Sequence, residues 1–144
     1  MPLSGRTILQ VIPHLSAGGA ERTTIEVAEA LKAAGAKALV ASVGGRLEGE
    51  LSRAGAELIR IDRLATKNPL GVYGNASILA KIIAKYKVDL VHARSRAPAW
   101  SALWAARRMK KPFVTTYHGV YNAKSAPKKL YNSVMARGDL VIAN

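Results

Sequence analysis

Residues Thr7–Ala20 read TILQVIPHLSAGGA, and the change of period inside this stretch decides the fold class. Thr7 to Pro13 is an apolar, β-branched run of strand length. His14, Leu15 and the small residues Ser16 to Ala20 interrupt it, and a helix is expected to begin near Glu21 with Ile25, Ala28 and Leu31 on one face and Gly35 at its end. A strand that passes through a glycine turn into an amphipathic helix is the opening of a βαβ unit, whose return strand lies parallel to the first.

Working outward, the alternation repeats. Lys37 to Val43 reads as strand two, Gly44 and Gly45 as a turn, Leu47 to Ala54 as a short helix stopped by Gly55, and Glu57 to Ile61 as strand three. A polar connector, Asp62 to Asn68, leads through Pro69 to a helical stripe of Ile78, Leu79, Ile82, Ile83 and Tyr86. Val88 to Ala93 is expected as strand four, Pro98 to Lys110 as a helix, Phe113 to Tyr117 as strand five, Lys128 to Arg137 as a helix and Asp139 to Asn144 as strand six. The expected fold is α/β: a single Rossmann-like domain with a doubly wound parallel sheet of about six strands ordered 3-2-1-4-5-6. Trp100 and Trp104, four apart, are expected to pack against the sheet rather than to anchor at a lipid interface.

Composition narrows the function classes. With 49% hydrophobic residues and six prolines the chain can offset the entropy of ordering. The absence of cysteine excludes disulfides, thiolate metal sites and a cysteine nucleophile, and points to a reducing compartment. No apolar run has signal-peptide or membrane-spanning length, so a soluble cytoplasmic protein is expected. The formal charge of +13 favours anionic partners: nucleic acid, anionic lipid or phosphorylated substrates. No RNA-recognition or helix-turn-helix pattern accompanies it, and Phe113 is the only phenylalanine, so nucleic acid is not the expected partner.

In a doubly wound sheet the ligand crevice lies at the carboxyl ends of strands one and four. This directs attention to His14 to Ala20, Arg94 to Ala97 and His118 to Asn122. Gly18 and Gly19 stand at a helix N-terminus, where backbone N–H groups form an anion site; the alternative is a tight βα turn with no ligand. The segment is neither the G-x-G-x-x-G dinucleotide fingerprint nor a P-loop, because strand two ends on Ala41, Ser42, Val43 and Ala20, Glu21 replace the lysine. His118 at the end of strand five can donate to a sugar hydroxyl, or be an ordinary surface histidine. Arg94 and Arg96 suit a phosphate, a carboxylate or an acidic sugar, or pair with neighbouring carboxylates. His92 is expected to pack within its strand. His14, His92 and His118 fall on three different strand ends without metal-ligand spacing, so no metal is expected.

The segments ILQVIPHLSAGGAERTTIEVAEAL, VDLVHARSRAPAWSALWAARR, KPFVTTYHGVYN and YNSVMARGDLVIAN together resemble the N-terminal domain of family 4 glycosyltransferases, which are retaining enzymes of the GT-B architecture. The resemblance implies that residues 1–144 are the acceptor-side half of such a fold, with the donor-binding C-terminal domain outside them. It implies a nucleoside-diphosphate sugar as substrate, no cofactor, Gly18 and Gly19 against the donor diphosphate, and His118 as the catalytic residue beside the transferred sugar. The acceptor side is then expected at His14, Arg94, Ser95, Arg96, Tyr121 and Asn122. Lacking its partner domain, the chain is expected to be inactive alone, as a fragment or one half of a split enzyme.

The acceptor expected from this resemblance is a bacterial envelope glycan or glycolipid such as lipopolysaccharide core. The basic surface would suit peripheral attachment at the anionic inner membrane. The alternative is a standalone module that binds an anionic glycolipid or nucleotide without catalysis.

Overall fold

A computed structural model describes residues 3–16, 18–117 and 125–143. The strands are β1 (Thr7–Val11), β2 (Lys37–Ser42), β3 (Glu57–Arg60), β4 (Leu90–Ala93), β5 (Phe113–Tyr117) and β6 (Leu140–Ala143). They form one sheet in the order β3-β2-β1-β4-β5-β6, with every neighbouring pair parallel. The helices are α1 (Gly19–Ala33), α2 (Glu48–Arg53), α3 (Pro69–Tyr86), α4 (Arg96–Arg108) and α5 (Ala126–Asn132), the last continued by a 3-10 turn, Ser133–Ala136.

Because β1 and β2 are covered on both sides, their residues alternate between two cores. Leu9, Val11, Leu39 and Ala41 pack with Leu79, Ile83, Ala102 and Phe113 beneath α3 and α4. Ile12, Ala38 and Val40 pack with Ile25, Ala28 and Leu51 beneath α1 and α2. The strand order reverses direction between β1 and β4, which sets the crevice of an open α/β sheet at their carboxyl ends.

Two aspartates frame the opposite, amino edge. Asp89 exchanges hydrogen bonds with Thr7, donating its N–H to the Thr7 carbonyl and accepting the Thr7 N–H on Oδ2, both at 2.8 Å. Asp139 does the same for Phe113, at 2.7 and 2.8 Å. The recurring Asp-Leu-Val of VDLV and GDLV is thus a device that starts β4 beside β1 and β6 beside β5.

Several boundaries differ from expectation for local reasons. β1 ends at Val11, although Ile12 N–H still reaches the Ala41 carbonyl and Pro13 accepts from Val43 N–H. α1 begins at Gly19 rather than Glu21, and α4 at Arg96 rather than Pro98, because proline is tolerated in a first turn. α3 begins at Pro69, where the Asn68 side chain accepts from Leu70 N–H at 3.0 Å. The helix expected over Lys128 to Arg137 starts earlier, on the Ser125 cap, and passes into the 3-10 turn after Asn132. Ile78, expected in the buried stripe of α3, is 44% exposed. Trp104 is also 44% exposed and does not pack on the sheet, whereas half-buried Trp100 packs on the core and donates Nε1–H to the Tyr131 carbonyl.

Candidate substrate crevice

The loop after β1 is anchored through Leu15, which is fully buried. Leu15 N–H donates to the Gly44 carbonyl, and its own carbonyl accepts from Leu47 N–H, so the loops after β1 and β2 are stitched together. Gly44 has a φ of +107°, and a Cβ on Gly45 would press into the Leu15 backbone. Both glycines of this turn are therefore required by the fold. The anchoring leaves His14 and Ser16 exposed on the crevice rim.

Gly18 and Gly19 are different. Gly18 is the N-cap of α1 with ordinary extended dihedrals (φ −79°, ψ 168°) and no side-chain cap. A Cβ on Gly19 would meet nothing within 4 Å, and one on Gly18 would meet only the movable end of the Glu21 side chain. Neither backbone strain nor packing demands glycine here. The Glu21 carboxylate lies against Gly18 at the positive end of the α1 dipole, where an incoming phosphate would have to displace it.

At the carboxyl end of β4 the two arginines diverge. Arg94 turns inward and is 3% exposed; its Nε donates to Gln10 Oε1 at 2.6 Å, and Gln10 Nε2 donates in turn to the Thr24 carbonyl on α1. Arg94 Nη1 is buried without a hydrogen-bond partner among the described residues, and burial lowers the Arg94 pKa to about 10. No described carboxylate pairs with Arg94. Arg96 is half-exposed in the first turn of α4, donates Nη1–H to Asn132 Oδ1 at 2.7 Å and lies over the Tyr131 ring at 5.8 Å. Ser95 is the α4 N-cap and makes no capping bond. His92 packs within its strand, with Nε2 2.6 Å from Thr116 Oγ1. His118, Tyr121 and Asn122 lie outside the described residues.

Beside the crevice a hollow of about 440 Å³ is lined by Lys67, Arg96, Pro127, Lys128, Tyr131 and Asn132. Lys67 and Lys128 were not singled out as site residues by sequence reasoning. The available signal was charge imbalance: from Leu90 to Asn144 the only acidic residue is Asp139, and its carboxylate is used by Phe113 N–H. A depression of about 580 Å³ at the opposite edge, lined by residues including Gly5, Lys32, Gly35 and Gly55, lies at the wrong end of the strands for an α/β substrate site.

The sheet order and the switch point define a Rossmann-like half of a GT-B fold. The chain belongs to glycosyltransferase family 4, whose family model matches residues 17–144. Among solved structures it is similar to a glycosyltransferase from Rickettsia africae, at 47% identity and a TM-score of 0.80 over 96% of this chain and 36% of that one. MurG from Acinetobacter baumannii (16% identity, TM-score 0.67, 88% of this chain and 39% of that one) shares the fold. So does HepE from Anabaena, solved with UDP and glucose (19%, 0.69, 91% and 36%). The chain thus spans little more than a third of the length of these proteins. Among curated proteins none matches it. No described helix is long and apolar enough to cross a membrane.

Proposed function

We propose that this chain is the acceptor-side domain of a retaining hexosyltransferase that moves a sugar from a nucleoside diphosphate to an envelope glycan or glycolipid, lipopolysaccharide core being one such acceptor. The observation that carries the reading is the pair Gly18 and Gly19, placed at the N-terminus of α1 beside the switch point, where a Cβ on Gly19 would meet nothing and one on Gly18 only the movable Glu21 side chain. Glycine is then accounted for by an external group that approaches the backbone, and the helix dipole favours a diphosphate. The UDP and glucose bound to the Anabaena protein are in keeping with such a donor. His118 is proposed as the catalytic residue beside the transferred sugar, and His14, Ser95, Arg96, Tyr121 and Asn122 as acceptor-side groups. Arg94 would act from behind them, through Gln10 and α1.

In this reading the second domain completes the donor site on closure, so the isolated chain binds weakly and does not turn over. The uncompensated basic charge suits work at an anionic membrane face in a bacterial cytoplasm. The test is an amide NMR titration of the chain with UDP-glucose and related nucleotide sugars, repeated on Gly19→Val and His118→Ala. Shifts centred on Ser16 to Glu21 and abolished in Gly19→Val support the proposal. Unchanged binding by Gly19→Val, or shifts centred on the amino edge near Gly35 and Gly55, would overturn it.

A further inference from the structure

The geometry assigns the hollow between the starts of α4 and α5 as a subsite for an oxyanion carried by the acceptor: a phosphate or carboxylate borne on a sugar. This rests on the acceptor-side reading above and deepens it by naming what the acceptor must carry. Three cations reach the hollow from three separate segments: Lys67 from the connector before α3, Arg96 from the first turn of α4 and Lys128 from the first turn of α5. No carboxylate is among the described lining residues, and neither Lys67 nor Lys128 makes an ion pair among the described residues.

The placement runs against the ordinary preference of helices. Cations near a helix N-terminus are unfavourable, and acidic residues there are favourable. The first turns of α1 and α2 follow this rule with Glu21, Glu48 and Glu50. The first turn of α4, whose Arg96 lines the hollow, contains no acidic residue. Positive side chains and the positive dipole end of α4 therefore add in one concave place, and a bound anion would relieve both.

The hollow also has a built floor. Asn132 Oδ1 holds the Arg96 guanidinium, and the Tyr131 ring lies beside it, so the planar fork is presented in one orientation rather than swinging freely. Pro127 and Tyr131 supply apolar surface for the C–H face of a sugar ring. A volume of about 440 Å³ falls in the range of small-molecule sites, roughly 300–1,000 Å³, and suits one sugar phosphate better than an extended polyanion.

The experiment is an amide NMR titration of the full chain at fixed ionic strength with glucose 6-phosphate, glucuronate, inorganic phosphate and glucose. Expected are saturable shifts at Arg96, Tyr131 and Asn132 with the three anions and none with glucose. The exposed pair Lys67→Gln/Lys128→Gln should weaken glucose 6-phosphate binding at least tenfold with an unchanged melting temperature. Lys110→Gln/Lys111→Gln, which removes the same charge elsewhere, should not weaken it. Equal weakening by both pairs, or non-saturating shifts spread over many lysines, would mean delocalised attraction and overturn the subsite. Dependence on Lys67 and Lys128 for sedimentation with phosphatidylglycerol vesicles or for binding oligonucleotides, with no glucose 6-phosphate shifts, would overturn it in favour of a membrane or nucleic-acid surface. UDP-glucose is the independent arm: if it binds at Gly18 and Gly19 while glucose 6-phosphate does not, the subsite fails and the transferase reading stands. The reverse result retains the subsite and removes the donor reading.

Discussion

Arg94 Nε donates to Gln10 Oε1 across 2.6 Å, tying the two central strands together with a buried charge that no described carboxylate neutralises. Gln10→Leu should therefore be costly, by about 2–3 kcal/mol, because it strands a desolvated guanidinium and removes the side-chain bond to the Thr24 carbonyl. Adding Arg94→Met to that variant should recover most of the loss, since a buried charge is replaced by an apolar chain of similar reach. Urea denaturation of the two single variants and the double variant closes the cycle; additive losses would show that the pair is not coupled.

The two kinds of glycine on the crevice rim should respond oppositely to alanine. Gly45→Ala forces a Cβ into the Leu15 backbone and should cost about 2–3 kcal/mol through strain and overpacking. Gly19→Ala opens onto empty space within a helix and should leave stability unchanged or raise it by up to about 1 kcal/mol. Thermal melts decide this, and equal losses would contradict the distinction between a glycine the fold needs and one it does not.

Asp89 and Asp139 make equivalent bonds to different parts of the sheet. Asp89→Ala should lower global stability by about 1–2 kcal/mol because it frees an N–H at the centre of the sheet. Asp139→Ala should act mainly on β6, the edge strand whose Leu140, Val141 and Ile142 are exposed. Hydrogen exchange of the β6 amides should then accelerate while exchange in β1 stays slow. Uniform acceleration in both strands would show that β6 does not open separately.

Glu48 accepts Gly45 N–H and pairs with Arg60, and these two contacts hold its carboxyl below the usual carboxylate range. Since the folded pKa lies below the unfolded one, the associated stability is present at neutral pH. It is lost as pH falls through the ordinary glutamate value of about 4.3 toward the lowered one. Glu48→Gln should be less stable than the parent at pH 7, and the two should converge as acid is added. A gap that is independent of pH would assign the effect to packing.

The parallel sheet was legible because β1, β2, β4 and β5 are buried strands whose apolar, β-branched runs, bounded by glycine and polar turns, admit few other readings. The strand order and switch point followed from that alternation, and with them the location of the His14 to Ala20 and Arg94 to Ala97 loops. Helix starts were less legible: Pro69 closes the expected connector and Pro98 opens the expected helix, but proline is compatible with any position of a first turn, so α3 begins at Pro69 itself and α4 two residues before Pro98.

Which residues point where was decided only by the tertiary structure. Arg94 and Arg96 are two residues apart in sequence, yet one is drawn inward by Gln10 and the other outward by Asn132. Lys67, Arg96 and Lys128 are far apart in sequence and converge because three helices open at the same edge. Local sequence determines period and turns because these depend on neighbours along the chain. Convergence of charge depends on partners brought together by folding, so a single pass along the residues contains the cations but not their meeting place.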